Sequence, residues 1–118
     1  MEQTTPIFTR TFDFVTWLLQ ATNRFPRSQR FTVTKRLLDV ALDFQELLVE
    51  ANAARGRERL AVLRRADAAL DKVRIYLRLA VRWEWLTAGQ YQHAARLVAE
   101  IGCLLGGWQK VTGQSAAG

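Results

Sequence analysis

Arginine is the residue type on which any chemistry of this sequence must rest. Residues 24–36 carry Arg24, Arg27, Arg30, Lys35 and Arg36 with no acid among them. Residues 55–65 carry Arg55, Arg57, Arg59, Arg64 and Arg65 against the single acid Glu58. Further on, Arg74, Arg78 and Arg82 recur at i, i+4 and i+8, on one face of a helix. Like charges at that spacing cost a helix about 0.2–0.5 kcal/mol per pair. Asp71 stands three residues before Arg74, whereas Arg78 and Arg82 have no acid three or four residues away. The planar guanidinium fork suits phosphate and carboxylate. Two kinds of match are open: an acidic helix face in the same chain or a neighbouring subunit, or an external polyanion or acidic protein.

Other chemistry has little to work with. His93 is the lone histidine and Cys103 the lone cysteine. Ten residues of helix leave the two about 80° apart around the axis. A di-iron bundle site needs Glu-x-x-His pairs, and position 90, three before His93, is Gln. No metal, cofactor or enzymatic activity is expected. Cys103 reads as a small core residue within the apolar stretch Ile101–Leu105. No Gly-rich phosphate loop occurs, and Gly106-Gly107 is read as close helix packing or a C-terminal cap. Trp83 and Trp85 flank Glu84 beside Arg82; they suit either base stacking or the closing of a bundle core, and neither is assigned as a stacking platform.

Composition bounds these readings. The 118 residues are 49% apolar and 24% charged, the size of one domain with a core that needs no staples. Seventeen basic residues, three of them lysine and fourteen arginine, oppose eleven acidic ones for a net +6. Such a charge points to nucleic acid, an acidic protein surface or an anionic membrane. No stretch approaches the roughly 20 apolar residues of a membrane span, so a membrane partner is not expected. Residues 1–6 lack the basic start of a signal peptide, and a single cysteine fits a reducing compartment, so a cytoplasmic location is expected.

Four helical segments emerge from the breakers. The first spans about residues 7–22, with Thr5 as N-cap and Pro6 at the first helical position. Phe8, Phe12, Val15 and Leu19 keep the 3.6-residue period, and Ile7, Phe14, Trp17, Leu18 and Ala21 add a second apolar face. A helix apolar on two sides needs a second partner, such as another subunit. Phe25-Pro26 ends it. The second segment, about 28–54, carries the stripe Leu37, Ala41, Phe44, Leu48 and Ala51, and an acidic face of Asp39, Asp43, Glu46 and Glu50. Gly56 marks the next turn. The third segment, about 58–85, has Leu63, Leu70, Val73, Leu77 and Ala80 inward. The fourth, 87–109, opens on Thr87-Ala88-Gly89-Gln90, the pattern of a capping box. Residues 112–118 read as a frayed, flexible tail. No useful period-2 segment appears, so the expected fold is all-α: an antiparallel up-down-up-down four-helix bundle.

The strings FPRSQRFTV (25–33), LLDVALDFQELLVEA (37–51), LRLA (77–80) and QYQHAARLVAEIGCLLGGWQK (90–110) resemble the accessory variability determinant (Avd) proteins of diversity-generating retroelements. That family is related to four-helix proteins encoded in intervening sequences of 23S ribosomal RNA genes. The resemblance spans about residues 7–110, and its most specific parts are F-P-[RK]-S-x-R-F and I-G-x-x-L-G-G-W. It implies four-helix bundles assembled into a basic, barrel-shaped homopentamer. It further implies binding to the element's reverse transcriptase and, through it, to the template-repeat RNA, in support of adenine-mutagenised cDNA synthesis and retrohoming. The polymerase is a separate protein. The residues so implied in binding the enzyme and RNA or cDNA are Arg74, Arg78 and Arg82, then Arg64 and Arg65. Arg27 and Arg30 match the F-P-[RK]-S-x-R string, which is equally compatible with a structural role. A stand-alone RNA-binding protein of the intervening-sequence type and a pure protein adaptor remain alternatives. Cys103 departs from the family, where a longer or basic side chain is frequent, and leaves one fewer anchor if that position faces a polyanion.

Overall fold

The computed structural model describes residues 4–117. Four α-helices account for most of them: α1 (Thr5–Ala21), α2 (Val33–Ala53), α3 (Gly56–Arg82) and α4 (Ala88–Ala117). Short 3-10 turns at Thr22–Arg24 and Arg27–Gln29 carry the chain from α1 to α2. No strand occurs among the described residues. Each helix packs on the next, and α4 returns to α1, giving the antiparallel four-helix bundle. The body is a rod of about 49 × 25 × 19 Å. The α2–α3 pair is the most extensively packed, and α1 meets its neighbours least.

The core follows from helical periodicity where a helix is clearly two-faced. All of Leu37, Ala41, Phe44, Leu48 and Ala51 on α2, and all of Leu63, Leu70, Val73, Leu77 and Ala80 on α3, are buried. Ala94, Val98, Ile101 and Leu105 answer from α4. α1 differs from expectation. Ile7, Thr11, Phe14, Val15 and Leu18 are buried, whereas Phe12 is 65% exposed and Leu19 46%. The bundle uses the second of the two apolar faces and leaves part of the first in solvent, as it does Leu42 and Val49 on α2.

The ends have local causes. Residues 27–29 form a tight turn after Pro26, so α2 starts at Val33 rather than Ser28. Gly56 enters α3 with φ 57°, in the left-handed region that glycine occupies without a Cβ penalty. α3 stops at Arg82 because Glu84 takes φ 62°. The Trp85 N–H then donates to Ala80 O (2.8 Å) and the Glu84 N–H to Val81 O (3.1 Å), a Schellman closure. Thr87 and Gln90 form the reciprocal capping box that opens α4: Gln90 N–H donates to Thr87 Oγ1 (3.1 Å) and Thr87 N–H to Gln90 Oε1 (2.9 Å).

Two readings of the C-terminal part are corrected. The segment expected to fray from Thr112 is the last turns of α4, which runs to Ala117; Gly118 lies outside the described residues. Thr112 is buried, seven residues after Leu105 and on the same face. Small polar residues disguised a helix that must reach the level of the α1 start and the α2–α3 turn. Gly106 and Gly107 neither cap α4 nor sit in close packing. Both are exposed in mid-helix, and a Cβ added to either would meet nothing within 4 Å.

Candidate nucleic-acid and partner interface

The arginines divide by what surrounds them. Arg78 and Arg82 are exposed on the outer face of α3, and no carboxylate lies within ion-pairing distance of either among the described residues. Arg64 stands eighteen residues before Arg82. That is five full turns, so both share one edge of the helix, about 27 Å apart. Arg65 points to the other side, where its Nη2 is 3.5 Å from Glu50 Oε1 on α2. Arg74 is half-buried: its Nη1 donates to Asp71 Oδ1 at 2.7 Å, and its Nη2 lies over Gly102 of α4. Thus the three-residue stripe is not uniform. One member is built into the helix contact, and two are free.

Arg27 and Arg30 are exposed in the α1–α2 connection, with no ion pair among the described residues. Antiparallel topology puts that connection at the same end of the rod as the α3–α4 turn. The two connections touch: the Phe25 and Trp85 rings are 5.6 Å apart between centroids. Arg27, Arg30, Arg78 and Arg82 therefore gather around one end of the bundle, whereas Arg64 and Arg65 lie nearer the opposite end. Arg27 and Arg30 also edge a cavity of about 380 Å³ floored by Leu19, Phe25 and Leu38.

One arginine in the basic runs is committed to structure. Arg59 Nε donates to Ala51 O (2.8 Å) and Nη2 to Asn52 O (3.3 Å), satisfying carbonyls at the C-terminus of α2. Its guanidinium also lies 5.8 Å from the Trp108 ring centroid. Nothing in the local spacing distinguishes Arg59 from its neighbours; only the turn at 54–55 folds it back.

The remaining chemical candidates are placed as follows. His93 is exposed and tilted against Trp17, 5.4 Å between centroids. Cys103, expected in the core, is exposed on α4, because Ile101 and Leu105 take the inward positions on either side. Among the described residues no group of three or more His, Cys, Asp or Glu side chains could hold a metal ion. None of their helices is long and apolar enough to cross a membrane. The paired tryptophans separate: Trp85 packs inward on Phe25, and Trp83 is 65% exposed.

Comparison with known proteins gives the fold an independent footing. No curated protein matches the chain. A crystal structure of a protein of unknown function from the S23 ribosomal protein family, from Bacteroides thetaiotaomicron VPI-5482, superposes with a TM-score of 0.82. The match has 21% identity and covers 92% of this chain and 98% of that one, so the fold is shared. The bAvd-like family profile matches residues 7–112, from the first core residue of α1 to the buried Thr112, and the chain belongs to that bAvd-like family.

Proposed function

We propose that this chain is a non-catalytic accessory protein of a diversity-generating retroelement. In this reading it binds the element's reverse transcriptase and the template RNA or cDNA through its arginine surface, supporting mutagenic cDNA synthesis and retrohoming. Family membership supports the accessory role. The observation that carries the binding role is the set of exposed guanidinium groups that, among the described residues, have no carboxylate partner: Arg27, Arg30, Arg64, Arg78 and Arg82. Arg65 and Arg74 contribute less, since each already has an acidic neighbour.

Assembly into a homopentamer belongs to the same proposal. Phe12, Leu19, Leu42 and Val49 leave apolar surface on α1 and α2. Asp43 and Glu46 on α2 have no ion-pair partner among the described residues, opposite in sign to the free arginines of α3. A head-to-tail contact between unlike faces closes into a ring when the rotation permits. Five chains of net +6 carry about +30, a strong attractor for RNA.

The test is co-expression with the reverse transcriptase of the same element, followed by affinity capture and measurement of RNA binding against salt. The expected result is co-purification, light scattering at five chains per particle, and a log–log salt slope of about −0.7 per neutralised single-strand phosphate. Failure to capture the polymerase overturns the accessory role. A slope near zero overturns direct phosphate contact, and capture without any RNA binding by the isolated protein identifies a pure adaptor.

A further inference from the structure

We infer that the end of the bundle where the α1–α2 connection meets the α3–α4 turn is a seat for single-stranded nucleic acid, with Trp83 stacking on an unpaired base. The inference deepens the proposed nucleic-acid role and rests on it.

The geometry of the α3 terminus is the first ground. The Schellman closure at Glu84 reverses the chain so that two tryptophans, two residues apart, part company. Trp85 turns inward onto Phe25 and anchors the turn, while Trp83 is left in solvent at 65% exposure. The turn is held by a non-glycine residue at φ 62°, a conformation that L side chains rarely adopt. A large exposed indole on a pinned turn offers a ring face at little conformational cost.

Charge is the second ground. Residues 22–32 and 78–87 supply Arg24, Arg27, Arg30, Arg78 and Arg82 to this end, against the single acid Glu84. None of the five arginines is ion-paired among the described residues. A second aromatic, Phe31, stands on the same end at 79% exposure. Exposed rings set among unpaired guanidinium groups match the alternation of base and phosphate along a single strand. Acidic side chains of a protein would match the arginines alone, whereas a single strand supplies phosphates and flat ring faces together. A duplex keeps its base faces, apart from those of its two terminal pairs, stacked on each other.

The experiment compares the wild-type protein with Trp83→Ala, Trp83→Phe and Phe31→Ala, binding oligo(rU), oligo(dT) and a blunt DNA duplex at one salt concentration. Trp83→Ala should weaken both single strands by roughly five- to a hundredfold and leave duplex affinity unchanged. Trp83→Phe should recover most of the loss, and Phe31→Ala should weaken single strands alone. Oligo(rU), at concentrations that saturate both proteins, should also quench wild-type tryptophan emission more than that of Trp83→Phe. Equal single-strand affinity for wild type and Trp83→Ala, or an equal loss on single strand and duplex, overturns the stacking role. If those results accompany normal polymerase and RNA capture by the wild-type protein, the proposed function stands and only this inference fails. A Trp83→Ala protein that loses the polymerase but keeps its oligonucleotides identifies a protein-docking surface and also overturns it. Wild-type protein that binds neither polymerase nor any nucleic acid defeats both.

Discussion

The guanidinium of Arg74 lies across the backbone of α4 at Gly102, where an added Cβ would stand 2.6 Å from Nη2. The absence of a side chain at Gly102 is what lets an α3 cation reach over α4 while still bonding Asp71. This relationship separates Arg74 from Arg78 and Arg82, with which it shares a helical repeat.

Arg74→Ala should therefore lower stability by about 1 kcal/mol. Solvent screening keeps the ion pair itself small, and the packed stem adds to it. Arg78→Ala and Arg82→Ala should each stay within about 0.5 kcal/mol of wild type. Urea denaturation gives both values. The double variant at 78 and 82 should nevertheless make the salt dependence of RNA binding shallower, by about 0.7 in log–log slope for each phosphate that is no longer neutralised.

Gly102→Ala puts two effects in opposition. Helix propensity favours alanine by up to about 1 kcal/mol, and Arg74 must be displaced. Its tip is the far end of a flexible side chain, so the net change in unfolding free energy should be no more than about 1 kcal/mol. The test is structural: a crystal structure of the variant should show Arg74 swung off α4.

Glu84→Gly should stabilise the chain by about 1 kcal/mol, because glycine accepts the left-handed conformation that glutamate holds at a cost. The expected readout is a melting temperature raised by a few degrees, with the Trp85–Phe25 contact retained.

Arg59→Ala should cost about 2 kcal/mol, because it strips two hydrogen bonds from the end of α2 and uncovers Trp108. Arg59→Lys should recover little, since an ammonium cannot reproduce the fork that spans Ala51 and Asn52. Thermal melts of both variants check the ordering.

Gly106→Ala and Gly107→Ala should each add about 0.5–1 kcal/mol in a helix interior where the new methyl meets open space. Denaturation midpoints with unchanged m-values are the expected observation.

The sequence was most informative where a helix had one apolar face. The stripes of α2 and α3 could be read directly, and Thr87 with Gln90 announced their cap. α1 was ambiguous because both its sides are apolar, and burial of Phe14 and Leu18 rather than Phe12 and Leu19 depends on what the other helices leave uncovered. The α4 end was hidden by Thr112, Gly113 and Ser115, whose types suit a tail as well as a helix. Within the candidate site, the arginine runs were visible but their allegiance was not. Arg59, Arg65 and Arg74 find partners through a turn, a neighbouring helix and a bare backbone position, none of which is encoded in local spacing. The opposite fates of Trp83 and Trp85 depend on one backbone angle at Glu84.

α1 packs least against its neighbours, and residues 22–32 separate it from α2. Such a helix is the portion that detaches first when the native state breathes, with the α2–α3 hairpin and α4 still assembled. Its amides should trade hydrogen for deuterium ahead of those around Leu63 and Leu70, and the slowest exchange should mark the α2–α3 seam. Whatever covers the outer side of α1 in an assembly would slow that exchange, so the protection of α1 reports directly on whether neighbouring copies have come together.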